Sequence, residues 1–136
     1  MWQRLQTLFL LLGIISLAGL FFVPFKEFMI GESSGKLMIS DYTPQMIVAI
    51  AAMVLMAINI TRFSNRGLQM KIGFVTVGVL LVLFFWLFFT KAEGTVDKIQ
   101  FDFGILFPIA ALLLNNFAIR FIWRDEKMVR SMDRLR

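Results

Sequence analysis

The polar side chains inside the apolar part of this sequence are the residues best placed to do chemistry. The chain contains no cysteine and no histidine, which excludes cysteine redox chemistry, Cys/His metal sites and histidine general-base catalysis. The apolar stretches hold only a few amides and hydroxyls: Ser16, Asn59, Thr76, Asn115 and Asn116. These groups donate and accept hydrogen bonds, but no acid or base accompanies them. We therefore expect no enzyme, no catalytic residue, no metal site and no cofactor.

Four of these residues fall at a comparable depth and predict one hydrogen-bonded layer between helices: Asn59, Thr76, Asn115 and Asn116. One interpretation is helix adhesion, since polar side chains that bond across helices contribute about 0.6 kcal/mol on average in membranes. The other is a pocket for a small solute or a lipid head group, built around the two adjacent asparagines. Consecutive residues point about 100° apart on a helix, so at most one asparagine of that pair faces any single neighbour.

Four long apolar stretches carry these residues. The chain is 59% hydrophobic with a mean hydropathy of +0.79, and a helix needs about 20 apolar residues to cross a bilayer core. Stretches 5–25, 45–63, 72–89 and 104–123 meet that length. They predict an all-α membrane protein, a bundle of four transmembrane helices over residues 1–123. The first stretch also has features of a cleavable signal peptide, but its apolar sequence continues through Phe25 and favours a span.

Charged residues are divided unequally between the two sides of this predicted bundle. The amino terminus, the second connection and the carboxyl-terminal segment together carry ten basic and three acidic residues. The first and third connections carry four basic and six acidic residues. Because Lys and Arg are enriched in cytoplasmic loops, the distribution predicts that both termini are cytoplasmic.

The first and third connections contain signals for β-structure. Residues 26–43 place the turn-forming sequence "GESSG" between two short apolar-rich runs, which predicts a β-hairpin. In the third connection, "KAEG" is a predicted turn, and hydrophobic and polar residues alternate imperfectly in "TVDKIQFDF". Thr43 is the predicted N-cap of the second span, with Pro44 at the first helical position. Short strands would then cover the extracytoplasmic face, as a docking surface or as structured connectors.

The last thirteen residues, "RDEKMVRSMDRLR", form a strongly charged segment over 124–136. Helical phase places Phe121, Met128, Met132 and Leu135 on one apolar stripe and charged residues on the other faces, which predicts a basic amphipathic helix that continues the fourth span. Its positive charge would attract anionic lipids of the cytoplasmic leaflet. The segment therefore either docks a protein partner or rests on lipid. The candidate contact residues are Arg124, Lys127, Met128, Arg130, Met132, Arg134 and Leu135.

Both ends of the chain, "WQRLQTLFLLL" at 2–12 and "RDEKMVRSMDRLR" at 124–136, resemble the ends of a bacterial four-span family called domain of unknown function 4293. The middle of the chain resembles that family in length and span pattern. The family occurs mainly in Bacteroidetes. The resemblance implies a multi-pass protein of the bacterial inner membrane, and it brings no known activity, cofactor or site residue.

Two functions of different classes follow from these features. The first is a non-enzymatic interaction or scaffold protein, whose partners are membrane lipids and a protein bound through the tail, with no role for nucleic acid. The second is a small-solute or lipid-binding transport component in which the polar layer lines the site. A holin-like pore former is a third and more distant alternative. Small residues along the first three spans suit self-contained packing and oligomerisation equally.

Overall fold

The computed structural model describes residues 2–91 and 98–134 of the chain. Within these residues the chain forms four α-helices and three strands, and single 3₁₀ turns at Ile39–Asp41 and Phe103–Ile105 precede the second and fourth helices. In chain order the elements are α1 (Trp2–Gly19), β1 (Lys26–Ile30), β2 (Ser33–Leu37), α2 (Thr43–Thr61), α3 (Arg66–Phe89), β3 (Lys98–Phe101) and α4 (Leu106–Asp133). The predicted combination of a mostly helical fold with short β-segments is confirmed.

In the described part of the chain, three helical segments are long and apolar enough to cross a membrane: Thr43–Thr61, Arg66–Phe89 and Phe103–Asp133. A shorter apolar helix, Leu5–Gly19, corresponds to the predicted span 5–25. Helix α1 ends at Gly19, and the amides of the next three residues bond to carbonyls three positions earlier, in a tighter turn. Pro24 follows and disfavours helical conformation in the residue before it. The apolar run therefore extends beyond the helix.

Helix boundaries elsewhere follow local capping. Helix α3 begins at Arg66, before the predicted boundary at residue 72, because the side chain of Asn65 accepts a hydrogen bond from the backbone N–H of Leu68 at 3.1 Å. Thr43 is the first residue of α2, with Tyr42 at the N-cap and Pro44 in the first turn. The prediction that Thr43 is the N-cap is therefore wrong by one residue.

Helix α4 joins the predicted fourth span and the predicted tail in one element. It has 28 residues, Leu106 to Asp133, with no interruption between them. At 1.5 Å per residue it is about 42 Å long, whereas the hydrocarbon core of a bilayer is about 30 Å thick. The helix is therefore longer than a single crossing requires.

Small side chains and aromatic contacts hold α1 against α4. The ring of Phe9 stacks on that of Phe121 with centroids 5.3 Å apart, and the hydroxyl of Ser16 donates to the carbonyl of Phe107 at 3.1 Å. Gly19 lies against the Phe107 ring, which leaves no room for a Cβ. The outer surfaces of the helices carry many exposed large hydrophobic residues. This arrangement suggests a membrane protein, because contiguous apolar surface of that extent is rare on soluble monomers.

The three strands form one antiparallel sheet in the order β2-β1-β3. The hairpin predicted within residues 26–43 is present as β1 and β2, and its turn begins at Gly31, whose φ of 60° favours glycine. Strand β3 pairs with the other edge of β1, so the first and third connections meet at one end of the bundle. The predicted turn "KAEG", apart from Lys91, lies outside the described residues.

Lys26 ties this sheet to the end of α3. Its Nζ donates to the carbonyl oxygens of Phe88 and Thr90, each at 2.6 Å, and lies 5.0 Å from the centroid of the Phe101 ring. The residue is only 3% exposed. A cation is favourable at this position because the carbonyls at the end of a helix carry partial negative charge.

Candidate functional site

The end of the bundle opposite the sheet is formed by the α2–α3 connection and the last turns of α4. We call it the basic end. Here Nη2 of Arg66 lies 3.1 Å from Oδ2 of Asp125, and Nη1 donates to the Asp125 backbone carbonyl at 3.1 Å. Both side chains are largely shielded, at 25% and 15% exposed. This two-point contact fixes α4 beside the first turn of α3.

One face of α4 at the basic end concentrates positive charge, and we call it the basic face. At 100° per residue, five basic side chains fall within about 120° of arc. Trp123 lies among them, 58% exposed, with Nζ of Lys127 at 5.7 Å from its ring centroid. One member of the set, Arg130, pairs with Glu126 at 2.6 Å. The five residues are Arg120, Arg124, Lys127, Arg130 and Arg134.

Two cavities open on the basic face around Trp123. The first, of about 750 Å³, lies between Met70 of α3 and the α4 side chains that include Lys127 and Arg134. The second, of about 640 Å³, is lined by α4 residues, with Trp123 and Lys127 shared between the two. A concave surface that combines an indole ring with guanidinium and ammonium groups suits an anionic group attached to an apolar body.

The predicted apolar stripe of the tail is divided into a covered and an open part. Phe121 is covered by Phe9 of α1. Farther along the helix, Met128 is 41% and Met132 63% exposed. Leu135 lies outside the described residues. The structure therefore places two methionines on an open surface beside the basic face.

Two members of the predicted polar layer use their hydrogen bonds inside their own helices. The hydroxyl of Thr76, although buried, donates to the carbonyl of Ile72 at 2.8 Å. The amide of Asn116 is half-buried and donates to the carbonyl of Leu112 at 3.0 Å. Neither of these bonds crosses between helices.

The other two members meet around Gly73 of α3, together with a residue that the sequence pattern did not single out. Nδ2 of Asn115 donates to the Gly73 carbonyl at 3.0 Å. Nε2 of Gln69 donates to the backbone carbonyl of Asn59 at 2.9 Å. All three amide side chains are at most 1% exposed. We call Asn59, Gln69 and Asn115 the amide cluster.

The sequence does not predict Gln69 as part of the layer, because the predicted third span begins at residue 72. The capping signal was present in the sequence, since Asn65 is a favoured N-cap and places Gln69 one turn inside the helix. Among the residues whose side chains are described, no group of three or more carboxylates lies close enough to hold a metal ion.

Comparisons with known proteins place the chain in a family. Neither the curated proteins nor the solved structures gave a match. The family model described as Domain of unknown function (DUF4293) matches residues 2–135. That range includes all four helices, the sheet, the amide cluster and most of the charged tail. The chain therefore belongs to the DUF4293 family.

Proposed function

We propose that this chain is a four-span protein of the bacterial inner membrane, with both termini in the cytoplasm, and that it acts as a non-enzymatic interaction protein. Three helices of sufficient length and apolarity support the membrane assignment, and α1 packs along α4 as a fourth, shorter crossing. The predominance of Lys and Arg at the basic end supports the orientation. The sheet would then lie on the extracytoplasmic side.

The observation that carries the interaction role is the uninterrupted course of α4 to Asp133. The helix exceeds the thickness of the bilayer core by about 12 Å. About the last eight residues thus project Lys127, Arg130 and the two open methionines beyond the hydrocarbon, while the Arg66–Asp125 contact holds the helix against α3. A rigidly held projecting helix with one basic and one apolar surface is suited to present both surfaces to partners.

The two surfaces suit different partners. The basic face contains exposed Trp123 at the level where a bilayer meets water, and basic residues near an anionic leaflet contribute about 1 kcal/mol each. It therefore contacts anionic lipid head groups. Met128 and Met132 form an adaptable apolar surface of the kind that docks a protein helix or strand.

The experiment is copurification in lipid nanodiscs, with mass spectrometry of the retained lipids and proteins. Lys127→Gln/Arg134→Gln tests the basic face and leaves the Arg130–Glu126 pair intact. Arg62→Gln/Lys71→Gln is the matched control, because it removes two charges from the α2–α3 side of the basic end. We expect the first variant to lose bound anionic lipid and the control to keep it.

Met128→Asp/Met132→Asp tests the apolar surface in the same experiment. We expect this variant to keep its lipid and lose a protein partner that the wild type retains. The interaction role is rejected if all three variants retain the same lipids and proteins as the wild type.

The amide cluster favours a second candidate function, a small-solute or lipid-binding transport component. Polar side chains buried between membrane helices commonly line substrate pathways, and the atoms of this cluster are incompletely bonded within the described residues. Asn59→Ala/Asn115→Ala should then change a bound small molecule while the protein still inserts. The matched change Asn116→Ala should leave that molecule in place.

A further inference from the structure

The amide cluster joins three helices at one point. Asn59 belongs to α2, Gln69 to α3 and Asn115 to α4. Gly73 lies between them: its carbonyl accepts from Asn115 Nδ2 at 3.0 Å, and a Cβ built on it would lie 3.6 Å from Asn59 Nδ2. Gln69 precedes Gly73 by one turn of α3 and reaches the Asn59 backbone. The three amides therefore lie around the same turn of α3.

Four polar atoms of this cluster have no hydrogen-bond partner within the described residues. They are Oδ1 and Nδ2 of Asn59, Oε1 of Gln69 and Oδ1 of Asn115, each shielded from solvent. Three are acceptors and one is a donor. Buried amide groups in folded proteins are nearly always paired with protein or with ordered water, since an unpaired one loses its hydration without compensation.

We propose that the amide cluster is an internal hydration site, in which bound water bridges α2, α3 and α4. A water molecule donates two hydrogen bonds and accepts one or two, and buried waters typically make about three. It can donate to two of the three amide oxygens and accept from Nδ2 of Asn59. One water thus pairs three of the four orphaned atoms, and the remaining amide oxygen requires a second water.

The chemistry of the cluster selects water over an ion. The three side chains are neutral amides and carry no charge that would offset the desolvation of a bare cation or anion. Gln69 and Gly73 are the fourth and eighth residues of α3, so the cluster lies about 5–10 Å along the helix from its first residue, toward the basic end. The hydration site does not depend on the interaction role, but it occupies the same amide cluster as the second candidate function.

Asn59 is the residue that this site explains best. Its side chain makes no hydrogen bond to any described group although it is fully buried. In a dry core, leucine would be the better residue at this position, because it fills a similar volume and leaves no orphaned atoms. With water present, both polar atoms of Asn59 are used.

The test is water-edited solid-state NMR of the full chain in lipid bilayers, with ¹⁵N label in the side-chain amides. We expect polarisation to pass from water to the amides of Asn59 and Gln69. In Asn59→Leu, the signal at Gln69 should be lost and the unfolding midpoint should fall. Asn116→Leu makes the same chemical change at an amide that bonds within its own helix, and should leave the Gln69 signal unchanged.

Two results would overturn the inference. One is the absence of water transfer to Asn59 and Gln69 in the wild type, a measurement that needs no variant to fold. The other is a raised midpoint in Asn59→Leu with an unchanged Gln69 signal, because removal of two orphaned atoms from a dry interior is stabilising.

Discussion

Replacement of Lys26 by methionine tests the contact that joins the sheet to the helices. Methionine keeps most of the apolar stem and removes the ammonium group. In the structure this group donates to two carbonyl oxygens at the end of α3, each at 2.6 Å, and the residue is almost completely buried. The substitution leaves the carbonyls of Phe88 and Thr90 without that donor.

The size of the effect follows from three contributions. Each hydrogen bond to a charged group contributes about 1.5–3 kcal/mol, and a cation at a helix carboxyl terminus adds about 0.3–1 kcal/mol. The desolvation of a buried ammonium opposes them by several kcal/mol. We expect Lys26→Met to lower the free energy of unfolding by about 3 kcal/mol, which is about 100-fold in the folding equilibrium.

The assay is reversible unfolding of the full chain by SDS in mixed micelles, followed by circular dichroism. Lys36→Met is the matched control: Lys36 lies on β2 opposite Glu27, the residue after Lys26, is exposed, and pairs with Glu27 at 3.1 Å. Exposed ion pairs contribute little, so the control should unfold like the wild type. Equal stability of the two variants would refute the assignment of Lys26 as the tie between sheet and bundle.

The same lysine gives a pH dependence. Burial lowers the pKa of Lys26 below its usual 10.5. Between the folded-state pKa and 10.5 the unfolded chain binds more protons, so stability rises with pH across that window. Lys36 has the opposite effect on stability. The hydrogen bond with Glu27, and then the charge of Glu27, raise the pKa of Lys36, so the stability that this lysine contributes is lost as the pH rises above 10.5. The titration is therefore best measured in Lys36→Met, with Lys26→Met/Lys36→Met expected to lack the rise.

Two further predictions concern packing at the two ends of the bundle. Arg66→Gln and Asp125→Asn should each destabilise the protein, with a coupling of about 1 kcal/mol in a double-mutant cycle by SDS unfolding; additive effects would contradict the contact. Gly104→Ala should destabilise by more than about 2 kcal/mol, because its Cβ would lie 2.4 Å from the Pro24 carbonyl oxygen. Gly78→Ala, with open space around it, should instead stabilise α3 by up to about 1 kcal/mol, and similar melting of the two alanine variants would be inconsistent with this packing.

Hydropathy and turn chemistry were sufficient to predict the helices and the hairpin, because both signals are local. Of the predicted turn "GESSG" only Gly31 and Glu32 form the turn, which uses the positive φ of Gly31, and the last three residues belong to β2. The end of α1 was not predictable from apolarity, since residues after Gly19 stay apolar while the backbone turns toward Pro24. The predicted start of α3 was too late, because here the helix includes charged residues. Arg66 and Lys71 were assigned to a loop because they are charged, although Asn65 already caps the helix.

The candidate sites depended on contacts between distant parts of the chain. The predicted polar layer combined Asn59 with Thr76 and Asn116 because the three lie at a similar depth in the bundle. Depth alone is not sufficient, since the rotation of each helix about its axis decides which side chains meet. Gln69 joins Asn59 because α3 begins six residues before the predicted span at 72, nearly two turns earlier. Lys26 lies in a charged connection, where the sequence predicts no burial, and only the pairing of β1 with β3 shows that it lies against the Phe101 ring.

The strand order determines how long one edge of β1 stays unpaired while the chain is synthesised. Strand β1 pairs with β2 almost at once, but its other edge receives β3 roughly 70 residues later. At translation rates of about 5–20 residues per second, that edge stays open for roughly 4–14 s. An unpaired edge is a template for foreign strands. Closure of the sheet by β3, after α3 has been made, is thus the step that ends this exposure.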